Sequence, residues 1–288
     1  MVKLDEIFPV GIGTYRLEQS DKATALSGLH YSIERGQNFL STGFSYADGA
    51  VVELLSAFFP TIDREKLFLC TYVEPNVHTA GAVEGQLNAY LKQLHTDYVD
   101  CYQVHNPFET DLPLETMYEE IFRLKREGKV RYVGASNVSP KDWKRLTEQG
   151  TLDFFEGIYN FECRNYETNG VMADCRERNI RFVCYQPLRR NRTAQKQYPL
   201  LLELAKKYGC TQNQVILNWL AHQKRLQTIV KSLTPANIDA NLAALDFKME
   251  AADDCRMDAF CCPECEQIPV DWDHSGVGVP IHLLANQF

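Results

Sequence analysis

Residues 98–137 read YVDCYQVHNPFETDLPLETMYEEIFRLKREGKVRYVGASN. The stretch opens on a β-rich run, Tyr98–His105, and closes on another, Val130–Ser136. Between them Leu114–Glu127 carries an amphipathic helical pattern, and Gly128 follows where a helix would stop. A strand, a helix and a strand in that order call for parallel pairing through a right-handed crossover.

The same unit recurs on both sides. Further β-rich runs are Val10–Tyr15, Asn38–Thr42, Leu67–Tyr72, Gly157–Glu162, Ile180–Gln186 and Gln227–Ser232. Helical stretches fall at Lys22–Arg35, Ala50–Phe59, Gly81–His95, Pro140–Gln149, Val171–Arg178, Leu200–Tyr208, Thr211–Gln223 and Pro235–Leu245. Ser139-Pro140 and Thr211 read as helix starts, and Gly36 and Gly209 as stops. Eight such units close into a (β/α)8 TIM barrel, for which ~250 residues is usual. An open doubly wound sheet usually stops near six strands. Its dinucleotide fingerprint is also missing, because Gly11 and Gly13 are followed by Arg16 where a third glycine belongs. With no Pro/Ser-rich boundary, the chain reads as one barrel, 1–250, plus a Cys-rich C-terminal tail or lid, 251–288.

Composition narrows the class. Of 288 residues 45% are apolar and 24% charged, which excludes a disordered or fibrous chain. Thirty basic against 38 acidic side chains give a net charge of −8 without a dense basic run, so no nucleic-acid partner is expected. No stretch approaches 18 uninterrupted apolar residues and the start, MVKLDEIF, lacks an export signal's apolar core. The ten cysteines then read as reduced thiols of a cytoplasmic protein away from the membrane. The expected partner is a small-molecule substrate, and the sequence identifies no partner protein.

Active sites of such barrels lie at the C-terminal ends of the strands. Those ends offer Ser41, Thr42, Tyr72, His105, Ser136, Asn137, Asn160, Glu162, Tyr185, Lys231 and Ser232, with Tyr46 on the loop after the second strand. There is no clustered His/Asp/Glu set for a metal and no GxSxG elbow for a serine nucleophile. Tyr46 as acid and His105 as polariser suit a carbonyl oxygen better than hydrolysis. A histidine ending a strand serves equally well as a packed, hydrogen-bonded side chain.

Five segments carry a family resemblance: GIGTYRLE at 11–18, DYVDCYQVHNP at 97–107, KREGKVRYVGASN at 125–137, FVCYQPL at 182–188 and KSLTPANIDANLAALDF at 231–247. In order and spacing they resemble aldo-keto reductases, over residues 8 to 247. The resemblance implies a (β/α)8 barrel that binds a nicotinamide cofactor, NADP(H) or NAD(H), and reduces carbonyls. It assigns Tyr46 as the catalytic tyrosine and His105 as its histidine. Ser136, Asn137 and Asn160 would hold the nicotinamide carboxamide, Tyr185 would stack on its ring, and Lys231, Ser232 and Asn241 would approach the adenosine phosphate and adenine. Arg190 falls near the pyrophosphate, although it reads equally well as a solvated surface arginine.

Departures from the family pattern are pointed. The family's second-strand aspartate is Ser41 here and its third-strand lysine is Tyr72. Removing one partner of a buried ion pair strands a charge, at roughly 3–5 kcal/mol, whereas replacing both is nearly neutral. The pocket is therefore expected to be a neutral one, with Tyr72 as a second phenol near the same oxygen. Asn237 and Ala240 replace charged nucleotide contacts, and PLRRN after the seventh strand adds bulk that would crowd the pyrophosphate. In the tail, Cys255, Cys261, Cys262 and Cys265 include a C-x-x-C pair. Adjacent cysteines and the flanking Glu264 and Glu266 disfavour a shared ion, so no metal is assigned. Three functions fit: a divergent reductase, a non-redox lyase or isomerase using Tyr46, Tyr72 and His105, and a non-catalytic binding subunit. The retained carboxamide and stacking residues favour the first.

Overall fold

Eight short apolar runs pair side by side, each parallel to the next, and the last closes onto the first. The computed structural model describes residues 1–74, 79, 81–105, 107 and 112–261. The strands are β1 Val10–Gly13, β2 Phe39–Thr42, β3 Phe68–Val73, β4 Val99–Val104, β5 Val130–Ser136, β6 Phe154–Ile158, β7 Arg181–Tyr185 and β8 Leu226–Val230. Among the described residues the helices outside them are α1 Lys22–Glu34, α2 Ala50–Phe58, α3 Ala82–Gln93, α4 Leu114–Arg126, α5 Pro140–Gln149, α6 Asn165–Thr168, α7 Val171–Glu177, α8 Arg192–Gln195, α9 Pro199–Tyr208, α10 Gln212–His222, α11 Pro235–Leu242 and α12 Ala251–Ala259. This is the (β/α)8 TIM barrel read from the sequence.

Local chemistry sets the helix ends. Ser139 Oγ accepts from the Asp142 amide, and Thr211 forms a reciprocal capping box with Gln214. Gly128 takes φ +83°, a left-handed turn that a side chain would strain.

Strand periodicity divides the core in two. Outward residues such as Leu40, Leu69, Val99 and Phe155 are buried beneath the helices. Inward residues fill the barrel: Phe39, Phe68 and Phe154 meet with ring centroids 5.3–6.3 Å apart. Val2 and Ile7 close over the same cluster. Burying these rings contributes on the order of 2–3 kcal/mol each, so the lower half is a solid plug and the polar groups above it rest on a rigid floor.

The sixth strand departs from expectation. It runs Phe154–Ile158, three residues earlier than its predicted start at Gly157. Gly157 lies within it because a Cβ there would strike the Tyr166 ring. The shift moves Glu156 into the barrel and carries Asn160 and Glu162 beyond the strand end.

Past residue 250 the chain forms α12, packed through buried Met257. Trp219 Nε1 donates to Asp258 Oδ1 at 2.8 Å, and Phe260 stacks on Phe161. Cys255 and Cys261 are exposed thiols, while Cys262, Cys265 and the rest of the expected lid lie outside the described residues.

Candidate active site

The strand ends open on a cavity of about 930 Å³. Ser41, Tyr72, His105, Ser136, Asn137 and Tyr185 line it, joined by Tyr46 from the β2–α2 loop. Inward parity places them there: Phe39 and Ser41 share one face of β2, and Phe68, Cys70 and Tyr72 one face of β3.

Tyr46 is held by a turn whose anchor lies in the next strand's loop. Glu74, buried just past β3, accepts from the Phe44 amide at 2.6 Å and from Ser45 Oγ at 2.6 Å. Gly43 lets the Tyr46 ring lie against the backbone, because a Cβ would sit 2.6 Å from it. The Tyr46 and His105 rings then lie 6.0 Å apart, and His105 stacks on Tyr72 at 4.4 Å. Glu74 Oε2 is 3.9 Å from His105 Nδ1. Burial raises the Glu74 pKa against the hydrogen bonds it accepts. Tyr46 is pushed well above the ordinary tyrosine range by burial first and then by the charges of Glu156 and Glu74. It is thus held as a protonated phenol.

Below this group lies an ionisable side chain that the sequence reading did not place in the pocket. The Ser41 and Tyr72 hydroxyls are 2.6 Å apart, and Tyr72 also donates to Glu156 Oε1 at 2.7 Å. Gln103 Nε2 donates to Glu156 Oε2 at 2.8 Å. Gly134 makes room for that amide, since a Cβ there would collide with Gln103 Oε1. Burial lifts the Glu156 carboxyl to about 7, against the pull of Tyr72 and Gln103. The aspartate and lysine positions are neutral, but a carboxyl group enters from β6. Strand-end reading missed it because the strand was placed too late. Glu74 and Gln103 were missed as well, although each lies two residues from a singled-out residue on the same inward face.

The other end of the cavity is cationic. Arg16, Arg190 and Lys231 all line it. Desolvation, then their mutual repulsion, lowers the Arg190 and Lys231 pKa values, with Glu18 opposing at Lys231. Among the described residues none of the three makes an ion pair with a carboxylate, so their charge is left for an anion. Arg190 lies 5.6 Å over the Tyr15 ring. Ser232 Oγ accepts from Asn241 Nδ2 at 2.8 Å, and Asn237 lines the same region. Asn137 joins the two ends: its Nδ2 donates to Ser136 Oγ and the His105 carbonyl, and its Oδ1 accepts from the Tyr185 hydroxyl at 2.9 Å.

Two expectations change here. Asn160 is fully buried, its Oδ1 accepting from the Glu162 and Cys163 amides and its Nδ2 donating to the Gln186 carbonyl. It braces a turn and does not line the cavity. The bulk expected from PLRRN is divided: Arg189 turns away and donates to Glu162 Oε2 at 2.5 Å, while Leu188, Arg190 and Asn191 line the cavity. Burial would raise Glu162, but Lys196, Tyr198, Thr193 and Arg189 hold it down to about 2. This buried ion pair anchors a loop in which Gln186, Arg189, Arg190 and Asn191 all take positive φ, a conformation that costs roughly 1–2 kcal/mol per residue bearing a Cβ.

The closed parallel barrel thus brings a tyrosine–histidine pair to one end of its cavity and, to the other, three cations that form no ion pair among the described residues. Residues 9–260 match the Aldo/keto reductase family, and the chain belongs to that family. It is 26% identical over 265 residues to methylglyoxal reductase YeaE of Escherichia coli, covering 88% of this chain and 92% of that protein. It is 27% identical over 208 residues to the NADPH-dependent alpha-keto amide reductase of Saccharomyces cerevisiae, covering 66% and 65%. A thermostable aldo-keto reductase solved with the inhibitor epalrestat superposes with TM-score 0.82 at 28% identity, covering 88% and 94%. Among the described residues no helix is long and apolar enough to cross a membrane.

Proposed function

We propose that this chain is a nicotinamide-dependent reductase of small carbonyl compounds. The observation that carries the reading is one continuous cavity with a protonated tyrosine beside a histidine at one end and three cations at the other. The residues suit a dinucleotide. Arg16, Arg190 and Lys231 would face its phosphates, Ser136 and Asn137 its carboxamide, Tyr185 the nicotinamide ring, and Ser232 and Asn241 the adenosine end. The bound nicotinamide would supply hydride to the carbonyl carbon. Tyr46 would donate its phenolic proton to the carbonyl oxygen, and His105 would orient and polarise that oxygen. Because the Tyr46 pKa lies so high, the phenol stays protonated at neutral pH and has no free base to accept an alcohol proton, which favours reduction over alcohol oxidation. The YeaE and alpha-keto amide reductase relatives support a compact activated carbonyl as substrate.

The test is fluorescence titration of the chain with NADPH and with NADH, repeated on the double variant Arg190→Ala, Lys231→Ala. Each lost charge-assisted contact should weaken binding roughly tenfold. A chain that binds neither nucleotide at millimolar concentration refutes the reading.

A further inference from the structure

We propose that Glu156 is the proton reservoir of this site, a positioning residue that recharges Tyr46 through Tyr72. The inference rests on the reductase reading and adds the source of the second proton. Its basis is a problem of counting hydrogens. The Tyr72 hydroxyl has one proton and two hydrogen-bond partners, Ser41 Oγ at 2.6 Å and Glu156 Oε1 at 2.7 Å, and the Tyr46 hydroxyl is its third polar neighbour in the same cavity. When Glu156 is a carboxylate, Tyr72 must donate to it and has nothing to give Tyr46. When Glu156 is a carboxylic acid, it donates to Tyr72, and the Tyr72 proton is released toward Tyr46. The state of one buried carboxyl therefore sets the direction of the whole chain.

The surroundings admit both states. Gln103 offers Nε2 to the carboxylate, while its Oε1 is buried without a partner. A carboxyl protonated on Oε1, the oxygen that faces Tyr72, keeps the Gln103 amide bond on Oε2. The ionisable groups facing Glu156 are Cys70 and Tyr72 from β3, Cys101 from β4, Cys184 and Tyr185 from β7, and Tyr46 from the loop. All are weak acids held neutral by burial. Ser41 of β2 and Ser136 of β5, the register partner of Glu156, do not ionise, and His105 lies against Tyr72. Among the described residues no cation pairs with Glu156 to fix it as an anion. It also lines the cavity floor, so it can reload from water there.

The transfer balances. A carbonyl oxygen that gains negative charge takes the Tyr46 proton, forming an O–H bond. Tyr46 oxygen takes the Tyr72 proton and Tyr72 oxygen takes the Glu156 proton. Both phenols end neutral, Glu156 ends as carboxylate, and one proton from solvent restores it. The family's charged pair is thus replaced by a neutral acid on a different strand.

Two measurements test this. Infrared difference spectra of the ligand-free chain, wild type against Glu156→Gln, should contain a carboxylic acid C=O band that disappears as pH rises through about 7. A carboxylate already ionised at pH 5.5 overturns the proposal without reference to turnover. Carbonyl reduction should then lose kcat above that same pH with KM little changed. In Glu156→Gln this limb should vanish and kcat at pH 6 should fall about tenfold. Tyr72→Phe should flatten the kcat profile likewise while keeping the infrared band, which a purely structural role for Glu156 would not produce. Reduction with the same pH profile in wild type and both variants overturns the relay alone. A chain that reduces no carbonyl overturns the reductase reading, and the relay with it.

Discussion

The Tyr46 hydroxyl is held in place by a carboxylate that the ring does not need to touch. Glu74 gathers the Phe44 and Ser45 amides and the Ser45 hydroxyl, so the turn carrying Tyr46 closes on it. Tyr46→Phe should lower kcat for reduction by roughly 10²–10⁴-fold and leave nucleotide titration unchanged. Equal losses in both would mean that the phenol is structural. Glu74→Gln keeps the size and one acceptor but removes the charge near His105 and Tyr46. Its kcat should fall about tenfold, with a far-ultraviolet spectrum matching wild type. At this scale the sequence was informative wherever a side chain ends a strand or sits on the loop just after it: Tyr46, Tyr72, His105, Ser136 and Tyr185 all meet in the cavity. It was silent on partners. Nothing in a linear reading joins Glu156 of β6 to Tyr72 of β3, 84 positions apart, because closing the barrel creates that contact.

Among the elements, β6 and the loop after β7 carry most of what the sequence left hidden. The run Phe154-Phe155-Glu156-Gly157 mixes aromatic residues with a buried carboxyl and a glycine. Its pattern is therefore broken where the site needs it, and the apparent strand begins after the break. The glycine is explained by Tyr166 and the carboxyl by Tyr72 and Gln103, all tertiary partners. The β7 loop was misjudged for a similar reason: bulk at Arg189 is harmless because Glu162 draws it out of the cavity. Glu162→Gln removes the buried charge that Arg189 and Lys196 pair with, at roughly 3–5 kcal/mol. The expected result is a lower urea midpoint and weaker NADPH binding together, since Arg190 rides on the same loop. A variant with wild-type midpoint and affinity would show that the ion pair does not hold the loop.

For the whole molecule, two of the buried glutamates, Glu156 and Glu162, pull stability in opposite directions with pH. Glu156 holds its proton more tightly in the fold than in the unfolded chain, where a glutamate titrates near ~4.3. Its contribution is complete below that value and is lost as pH rises through about 7, on the order of 3 kcal/mol. Glu162 is the reverse: held at about 2, it contributes fully above ~4.3 and loses this as pH falls toward 2. Urea midpoints should therefore be higher at pH 5 than at pH 8, and Glu156→Gln should remove most of that difference. A wild-type midpoint that rises from pH 5 to pH 8 would contradict the assignment.

The barrel itself was legible because its eight-fold alternation repeats often enough to absorb an error of three residues in one strand. The central claim is chemical. It is tested most directly by incubating the chain with a small α-oxoaldehyde and NADPH carrying deuterium at the transferable C4 position, then weighing the product. The account predicts an alcohol with one deuterium on the former carbonyl carbon, formed by wild type and nearly absent with Tyr46→Phe. An unlabelled product, or one formed without nucleotide, would contradict it.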